Sequence, residues 1–307
     1  WTWESTFWIF IALIMMATRD LAYMIRLSIL TDNQLNWKQS FQTIMLWEFA
    51  SAITPSVVGG SGVAIYLVNK EGVSIGRSTA VVMTTAFLDE LFYILMVPII
   101  LLLVGYSKIF QVVLPEEAMG ELLSKYGVEI IFFVGYGFIV LLTSFILYAI
   151  FFRPRGFKWI LLKVFSLGFL RKWRFRAAET GDEIIITSSE LRGKPFSFWL
   201  RAFAATFFSW TARYWVVNFL ILAFVFVDDH LLLYARQLVM WVIMLISPTP
   251  GSVGIAVIAF SGFLRDFVPQ GLGLVAAIAF LWRLVSYYLY LFIGAIILPR
   301  WIRRTHS

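Results

Sequence analysis

Residues 128–152 form an apolar run whose only charge, Glu129, sits at its start, and residues 7–30, 80–104, 198–227 and 271–298 run about as long with few charges. A helix needs about 20 predominantly apolar residues to cross a hydrocarbon core. Inside lipid each backbone N–H and C=O must find its partner within the chain, so runs of this length read as transmembrane helices. The rest of the composition agrees. Of the 307 residues 61% are hydrophobic and only 14% charged, against about 25% charged in a typical soluble domain. The 30 Phe and 13 Trp suit faces that meet lipid and headgroups. The expected fold is an all-α integral membrane protein.

Composition also excludes several function classes. Without cysteine there are no disulfides, no thiol catalysis and no Cys/His metal site, and His230 and His306 are the two histidines. The net charge of +7 lies between hydrophobic spans, which points to anionic lipid rather than to nucleic acid. The chain begins at Trp1 without a methionine and in mid-character for a membrane protein, so an N-terminal piece, one further helix, is expected to precede it. No signal peptide is visible.

Two hydrophobic segments are interrupted. Residues 39–53 are apolar apart from Glu48 and a few neutral polar residues. The run then breaks at Thr54-Pro55-Ser56-Val57-Val58-Gly59-Gly60-Ser61-Gly62 and resumes over 63–68. Residues 231–246, apolar apart from Arg236, break at Ser247-Pro248-Thr249-Pro250-Gly251-Ser252-Val253-Gly254 and resume over 255–264. Each piece is too short to span alone, and each pair reads as a helix–loop–helix hairpin that enters the membrane and turns back. Three divisions follow. Residues 1–152 are a first transmembrane half with a re-entrant hairpin at about 39–69. Residues 153–197 are a basic loop. Residues 198–307 are a second half with a hairpin at about 231–264.

Charge gives the orientation. Residues 153–195 hold ten Lys/Arg against four acids, and the positive-inside rule puts this loop and the basic C-terminal tail in the cytoplasm. Its front part, residues 157–170, mixes Trp159, Leu161, Leu162, Val164 and Phe165 with Lys158 and Lys163, as in a helix lying in the interface plane. The span 198–227 must then exit and the span 271–298 return, so the segment between them starts and finishes outside. The same count places the first hairpin's entry on the cytoplasmic side. Two hairpins entering from opposite faces, each flanked by spans, are the signature of an inverted-topology repeat with a binding site near the midplane. Gly62-Val63-Ala64-Ile65 echoes Gly254-Ile255-Ala256-Val257. The competing reading is that the breaks are helix kinks.

Candidate binding residues follow from that architecture. A broken helix leaves unpaired N–H groups at the start of its second piece, here expected near Gly62 and Gly254, and such ends favour an anion. In a lipid setting phosphate is the natural anion. Intramembrane arginines usually face a cavity or a partner, and Arg binds phosphate bidentately. Arg213 and Arg283 lie well inside their spans and are the cavity candidates, whereas Arg26 and Arg201, near segment ends, are expected to snorkel to headgroups. Glu48, Asp89 and Glu90 could neutralise the arginines, carry a proton or meet a cationic headgroup. Asp89 and Glu90 point about 100° apart on a helix, so at most one faces a given cavity squarely. Asp228-Asp229-His230 reads as a solvated turn. Neither a Ser/His/Asp set, a nucleotide-binding loop nor HExxH is present, so no enzyme activity, cofactor or metal is expected.

At these residues the chain resembles the lysylphosphatidylglycerol synthase transmembrane-region family, the membrane halves of multiple peptide resistance factors and their stand-alone bacterial and archaeal relatives. The supporting stretches are Ser51-Ala52-Ile53-Thr54-Pro55 with Gly59-Gly60-Ser61-Gly62, Glu71-Gly72, Gly76-Arg77-Ser78, Phe87-Leu88-Asp89-Glu90, and Pro248-Thr249-Pro250-Gly251 with Gly254. The likeness covers about residues 20–295. The family's second motif usually continues with another Gly and then a Glu, where this chain has Ser252 and Val257. The soluble aminoacyl-transferring domain of the fused members is absent. The resemblance implies a lipid-handling unit of a prokaryotic inner membrane rather than the aminoacylation reaction.

The leading expectation is a flippase-like transporter for a phosphate-containing lipid, phospholipid or polyprenyl-linked. Its substrate-binding residues would be Thr54, Pro55, Gly59, Gly60, Gly62, Pro248, Pro250, Gly251 and Gly254 at the hairpin tips, with Arg26, Arg213, Arg283, Glu48, Asp89 and Glu90 around them. The alternative is a membrane-embedded lipid-modifying enzyme or its accessory subunit. The expected partners are membrane lipids with anionic or zwitterionic headgroups and no nucleic acid, and the pattern leaves room for a homo-oligomer.

Overall fold

The computed structural model describes residues 2–54, 56–112, 121–167, 171–244 and 253–306. Among these the chain is helical throughout, with no strand. The helices are α1 (Trp3–Leu30), α2 (Trp37–Ile53), α3 (Ser56–Lys70), α4 (Ile75–Val104), α5 (Tyr106–Phe110) and α6 (Glu121–Leu147). There follow α7 (Pro154–Val164), α8 (Arg174–Arg192), α9 (Phe196–Leu222), α10 (His230–Met244), α11 (Val253–Leu264), α12 (Leu272–Arg283) and α13 (Leu289–His306). A π-turn, Leu284–Tyr288, joins α12 to α13 into one long rod. Trp3–Leu30, Ile75–Val104, Gly127–Leu147 and Leu272–Thr305 are long and apolar enough to cross a membrane. The chain is a multi-pass, all-α membrane protein.

The fifth expected span, α9, is long enough at 27 residues but is not among those four. Arg201, Arg213 and Asn218 lower its hydropathy. Ala202, Ala205, Thr206, Ser209 and Ala212 are small or polar, and they let α9 lie along α1 for most of its length. The two helices run antiparallel: Ser5 donates to the Ala223 carbonyl at 2.6 Å, Trp8 stacks on Phe219, and Arg26 reaches Thr206. On α1 the buried residues Ala12, Met16, Arg19, Tyr23, Arg26 and Leu30 recur at helical spacing, so the charged ones point inward with the rest.

Both interrupted segments form antiparallel helix pairs. In the first, the Gln39 side chain donates to the Glu71 carbonyl, Leu46 meets Leu67, and Ser51 lies where a Cβ on Gly60 would stand. Asn36 and Gln39 close a capping box that starts α2. In the second, Arg236 of α10 donates to the Phe263 carbonyl and to Asp266 at 2.8 Å, just beyond α11. Arg236 also binds the carbonyls of Lys108 and Gln111, so this charge ties the open end of the pair to α5.

The expected anion-binding helix start near Gly62 requires correction. α3 begins at Ser56, directly after Pro55, so Gly62 lies in its second turn with its N–H inside the helix. Proline's fixed φ and missing N–H favour a helix start beside it, not a full turn later. At the second break the described part of α11 runs from Val253, and Gly254 lies within it. Pro55, Pro248, Pro250 and Gly251 lie outside the described residues.

The helix expected over 157–170 starts three residues earlier as α7, because Pro154 occupies its first turn. It packs on α8, and α8 on α4.

Candidate functional site

Helices α1, α2 and α4 form a half-open cleft of about 90 Å³ lined by Tyr23, Arg26, Ile44, Trp47, Glu48, Thr85 and Asp89, and α9 packs behind it through Thr206 and Trp210. The helical spacing of α1 places Arg19, Tyr23 and Arg26 on its inward face, and Glu48 and Asp89 come from the helices opposite.

Two ion pairs organise the cleft. Arg26 grips Asp89 with both nitrogens, at 2.5 and 3.2 Å, and donates a third bond to Thr206. Trp210 of α9 donates its indole N–H to the same carboxylate at 2.8 Å. Two turns away Arg19, 0% exposed, binds Glu48 at 2.5 Å and Asp20 at 3.0 Å. Tyr290 donates to the other oxygen of Asp20 at 2.7 Å. The Tyr23 ring lies under both guanidiniums, at 4.8 and 4.7 Å. A charge in a low-dielectric setting persists where a partner compensates it, and each of these charges has an opposite charge beside it.

Arg26 therefore does not snorkel as expected: it is 4% exposed, because Asp89 and Thr206 hold it inward. Asp89 and Glu90 part company in the manner foreseen for adjacent helical residues. Asp89 lines the cleft, whereas Glu90 does not, and one oxygen of its buried carboxyl has no hydrogen bond among the described residues.

The second half supplies different surroundings for its charges. Arg213 of α9 has no ion pair or hydrogen bond among the described residues and lies instead over the rings of Trp241 at 4.5 Å and Trp210 at 5.2 Å. Arg283, 6% exposed, lies over the Tyr287 ring at 4.1 Å and near Trp282. Aromatic rings link these places: Phe92 stacks on Trp210, which meets Trp241, then Trp282, then Phe260.

The end of α2 reaches this region through backbone. Tyr287 donates to the Ala52 carbonyl at 3.0 Å, near the end of α2, and the Thr54 hydroxyl donates to Ala50. Gly60 permits the close contact of α2 with α3, and Gly62 faces open space. Gly59 lies within α3 beside them.

Sequence reasoning passed over Arg19, Tyr23, Trp47, Trp210, Tyr287 and Tyr290 as site residues. Arg19 and Tyr23 carried a usable signal, standing seven and three residues before Arg26 on one helix face. The aromatic residues carried none, because 18% of the chain is aromatic.

The sequence profile of the lysylphosphatidylglycerol synthase TM region matches residues 1–294. The chain belongs to that family. It is also similar to a UPF0104 membrane protein of Archaeoglobus fulgidus, 26% identical over 302 residues, covering 93% of this chain and 84% of the relative. No solved structure matches. The family's break-and-glycine stretches thus coincide here with α2–α3 and α10–α11, and its Asp-Glu pair with the acid that lines the cleft. Val257, where the family usually has an acid, is a half-buried residue packed against the apolar core of α11.

Proposed function

We propose that this family member is a flippase-like transporter that carries a phosphate-containing amphiphile between leaflets. The headgroup would move through the polar centre while the acyl or polyprenyl chains stay in lipid. Arg213 carries the reading. Among the described residues most buried arginines are matched by a carboxylate, yet this guanidinium meets only the faces of two tryptophans there. Such a cradle leaves the in-plane N–H fork for a bidentate anion. Arg283 would add a second cation, and the first turn of α11 would contribute backbone N–H groups.

The re-entrant, inverted arrangement of the two hairpins belongs to the same proposal. Antiparallel packing of α1 on α9, the two helix pairs and the loop charges support it. The prokaryotic inner membrane, with residues 153–197 and the C-terminus cytoplasmic, is the corresponding location. Membrane lipids would be the partners, and the chemistry is transport rather than group transfer.

Leaflet assignment of labelled lipids in proteoliposomes tests the reading. Wild-type protein should accelerate exchange of at least one lipid in a panel of anionic, zwitterionic and polyprenyl-phosphate species. Arg213→Gln should abolish that acceleration while the protein remains folded. No acceleration of any panel member, or an Arg213→Gln variant as active as wild type, would overturn it.

A further inference from the structure

The α7–α8 unit lies outside the cleft and takes no part in the proposed transport site. It sits at the end of the bundle where α6 finishes, α4 begins and α9 begins. Its attachment is close. The Lys158 stem occupies the space beside Gly181, joining α7 to α8, and Glu183 does the same at Gly76, joining α8 to α4. The Glu183 carboxylate accepts the Gly76 N–H at 2.6 Å.

These contacts sort the charges of the unit. Of its four acids, Asp182 binds Lys158, Glu183 binds Gly76 and Glu190 binds Arg77. Among the described residues most of the basic side chains bind no acid. Arg155 and Lys163 lie on the exposed face of α7, and Arg171, Arg174 and Arg176 are exposed around the start of α8. The exposed face of α7 is also apolar: Trp159 is 61% exposed, and Ile160 and Val164 lie beside it. Helical spacing puts all of these on one stripe with Lys163, whose ammonium lies over the Trp159 ring at 4.9 Å. Phe175, between two arginines, is 74% exposed.

An aqueous surface gives no reason for this stripe, and a hydrocarbon core would not take its charges. An anionic headgroup layer takes both: apolar rings enter the acyl boundary while basic groups stay among phosphates. We infer that the exposed face of α7, with the start of α8, is a binding surface for the anionic lipid headgroups of one leaflet. Because α8 is fixed to the first turn of α4, the lipid surface is held at a defined height against the helix that carries Asp89. This surface does not depend on what the cleft transports.

The absence of cysteine allows a direct test in the full chain. Ile160→Cys, labelled with an environment-sensitive fluorophore, would be placed in nanodiscs of phosphatidylcholine alone or with phosphatidylglycerol at three parts in ten. Brominated lipids report contact with the acyl boundary, and iodide reports contact with water. The expected result is quenching by brominated lipid, protection from iodide, and a several-fold preference for brominated phosphatidylglycerol over brominated phosphatidylcholine. In the same background Lys163→Gln with Arg171→Gln should remove most of that preference, since each basic side chain near an anionic surface is worth roughly a five-fold effect. A label quenched by iodide in both bilayers overturns the interfacial placement. Equal quenching by the two brominated lipids overturns the recognition of anionic headgroups. Both readouts are independent of transport, so they stand or fall apart from the proposed flippase activity.

Discussion

The Arg26–Asp89 pair makes a prediction that separates a compensated charge pair from two independent polar residues. Arg26→Met removes the cation and leaves Asp89 with one direct bond, the Trp210 indole N–H. Removing one partner of a buried pair costs about 3–5 kcal/mol, because the survivor is left uncompensated. The Asp89 side chain is 22% exposed and keeps the indole bond, so the low end applies, about 3 kcal/mol. At roughly 2–4 °C per kcal/mol for a chain of this size, the thermal midpoint should fall by roughly 6–12 °C. Asp89→Leu should cost a similar amount, as Arg26 would keep only Thr206. Replacing both partners by apolar residues removes both charges, and such exchanges are often close to neutral. The double variant should therefore lose less than either single, with a coupling energy of about 2 kcal/mol or more. The assay is tryptophan-fluorescence unfolding in detergent at one fixed scan rate, since membrane-protein midpoints are often kinetic. If the double variant loses the sum of the single losses, the two residues do not act as a pair and the description of the cleft is wrong.

Three further perturbations test how the parts are held. Gly294→Ala should lower the thermal midpoint by the equivalent of about 1–3 kcal/mol, because its Cβ would stand 2.4 Å from the Cβ and Cγ of Phe49 and force α13 away from α2. Glu71→Gln removes the charge that Arg304 binds, and the Trp301 indole now donates to it at 2.6 Å. With Arg304 partly solvated, the cost should be only about 1–2 kcal/mol, read as faster amide exchange in the second half of α3 with unchanged exchange in α9. Gly127→Ala should destabilise by about 1–3 kcal/mol in the same unfolding assay, since φ +77° with ψ 159° is a region open essentially to glycine alone.

The helices were legible because the physics that makes them is local. Long apolar runs, the Pro/Gly breaks and the loop charges each act over a few residues, and α1, α4 and the α12–α13 rod fall close to where those signals put them. The partners inside the cleft were much less legible. Nothing local says that Arg26 turns inward rather than outward, because position near a segment end favours snorkelling unless a carboxylate lies opposite, and Asp89 is 63 residues away. Gly62 misled for a related reason. Glycines in a broken segment suggest a backbone open to ligand, but the proline had already set the helix start, and Gly60 serves the contact with Ser51 instead. The Asp89/Glu90 divergence was readable in advance, because 100° per residue is a property of every helix.

A comparison of the two halves adds an argument about which side of the site awaits a ligand. Phe87-Leu88-Asp89-Glu90-Leu91 corresponds to Phe280-Leu281-Trp282-Arg283-Leu284, and the same separation in sequence divides Pro55 from Pro248, Glu48 from Trp241 and Asp20 from Arg213. Under the proposed inverted repeat these are equivalent positions, and their chemistry is reversed. Where the first half has Asp20, Glu48, Asp89 and Glu90, the second has Arg213, Trp241, Trp282 and Arg283. Three of the four acids are met by the arginines of α1. Among the described residues Arg213 is met by rings, which attract a guanidinium by about 0.5–2 kcal/mol without neutralising it. Most acids of the first half are thus paired, and Arg213 keeps its positive charge beside Trp210 and Trp241. An anionic headgroup would complete the second half in the way that α1 completes the first, so charge-removing substitutions in the two halves should differ in kind. Arg26→Met and its like should be felt mainly as lost stability. Arg213→Gln should leave the thermal midpoint within about 1 kcal/mol of wild type while stopping lipid exchange. A large loss of stability on removing Arg213 would mean that its charge is already compensated within the fold, and the anion site would have to be sought elsewhere.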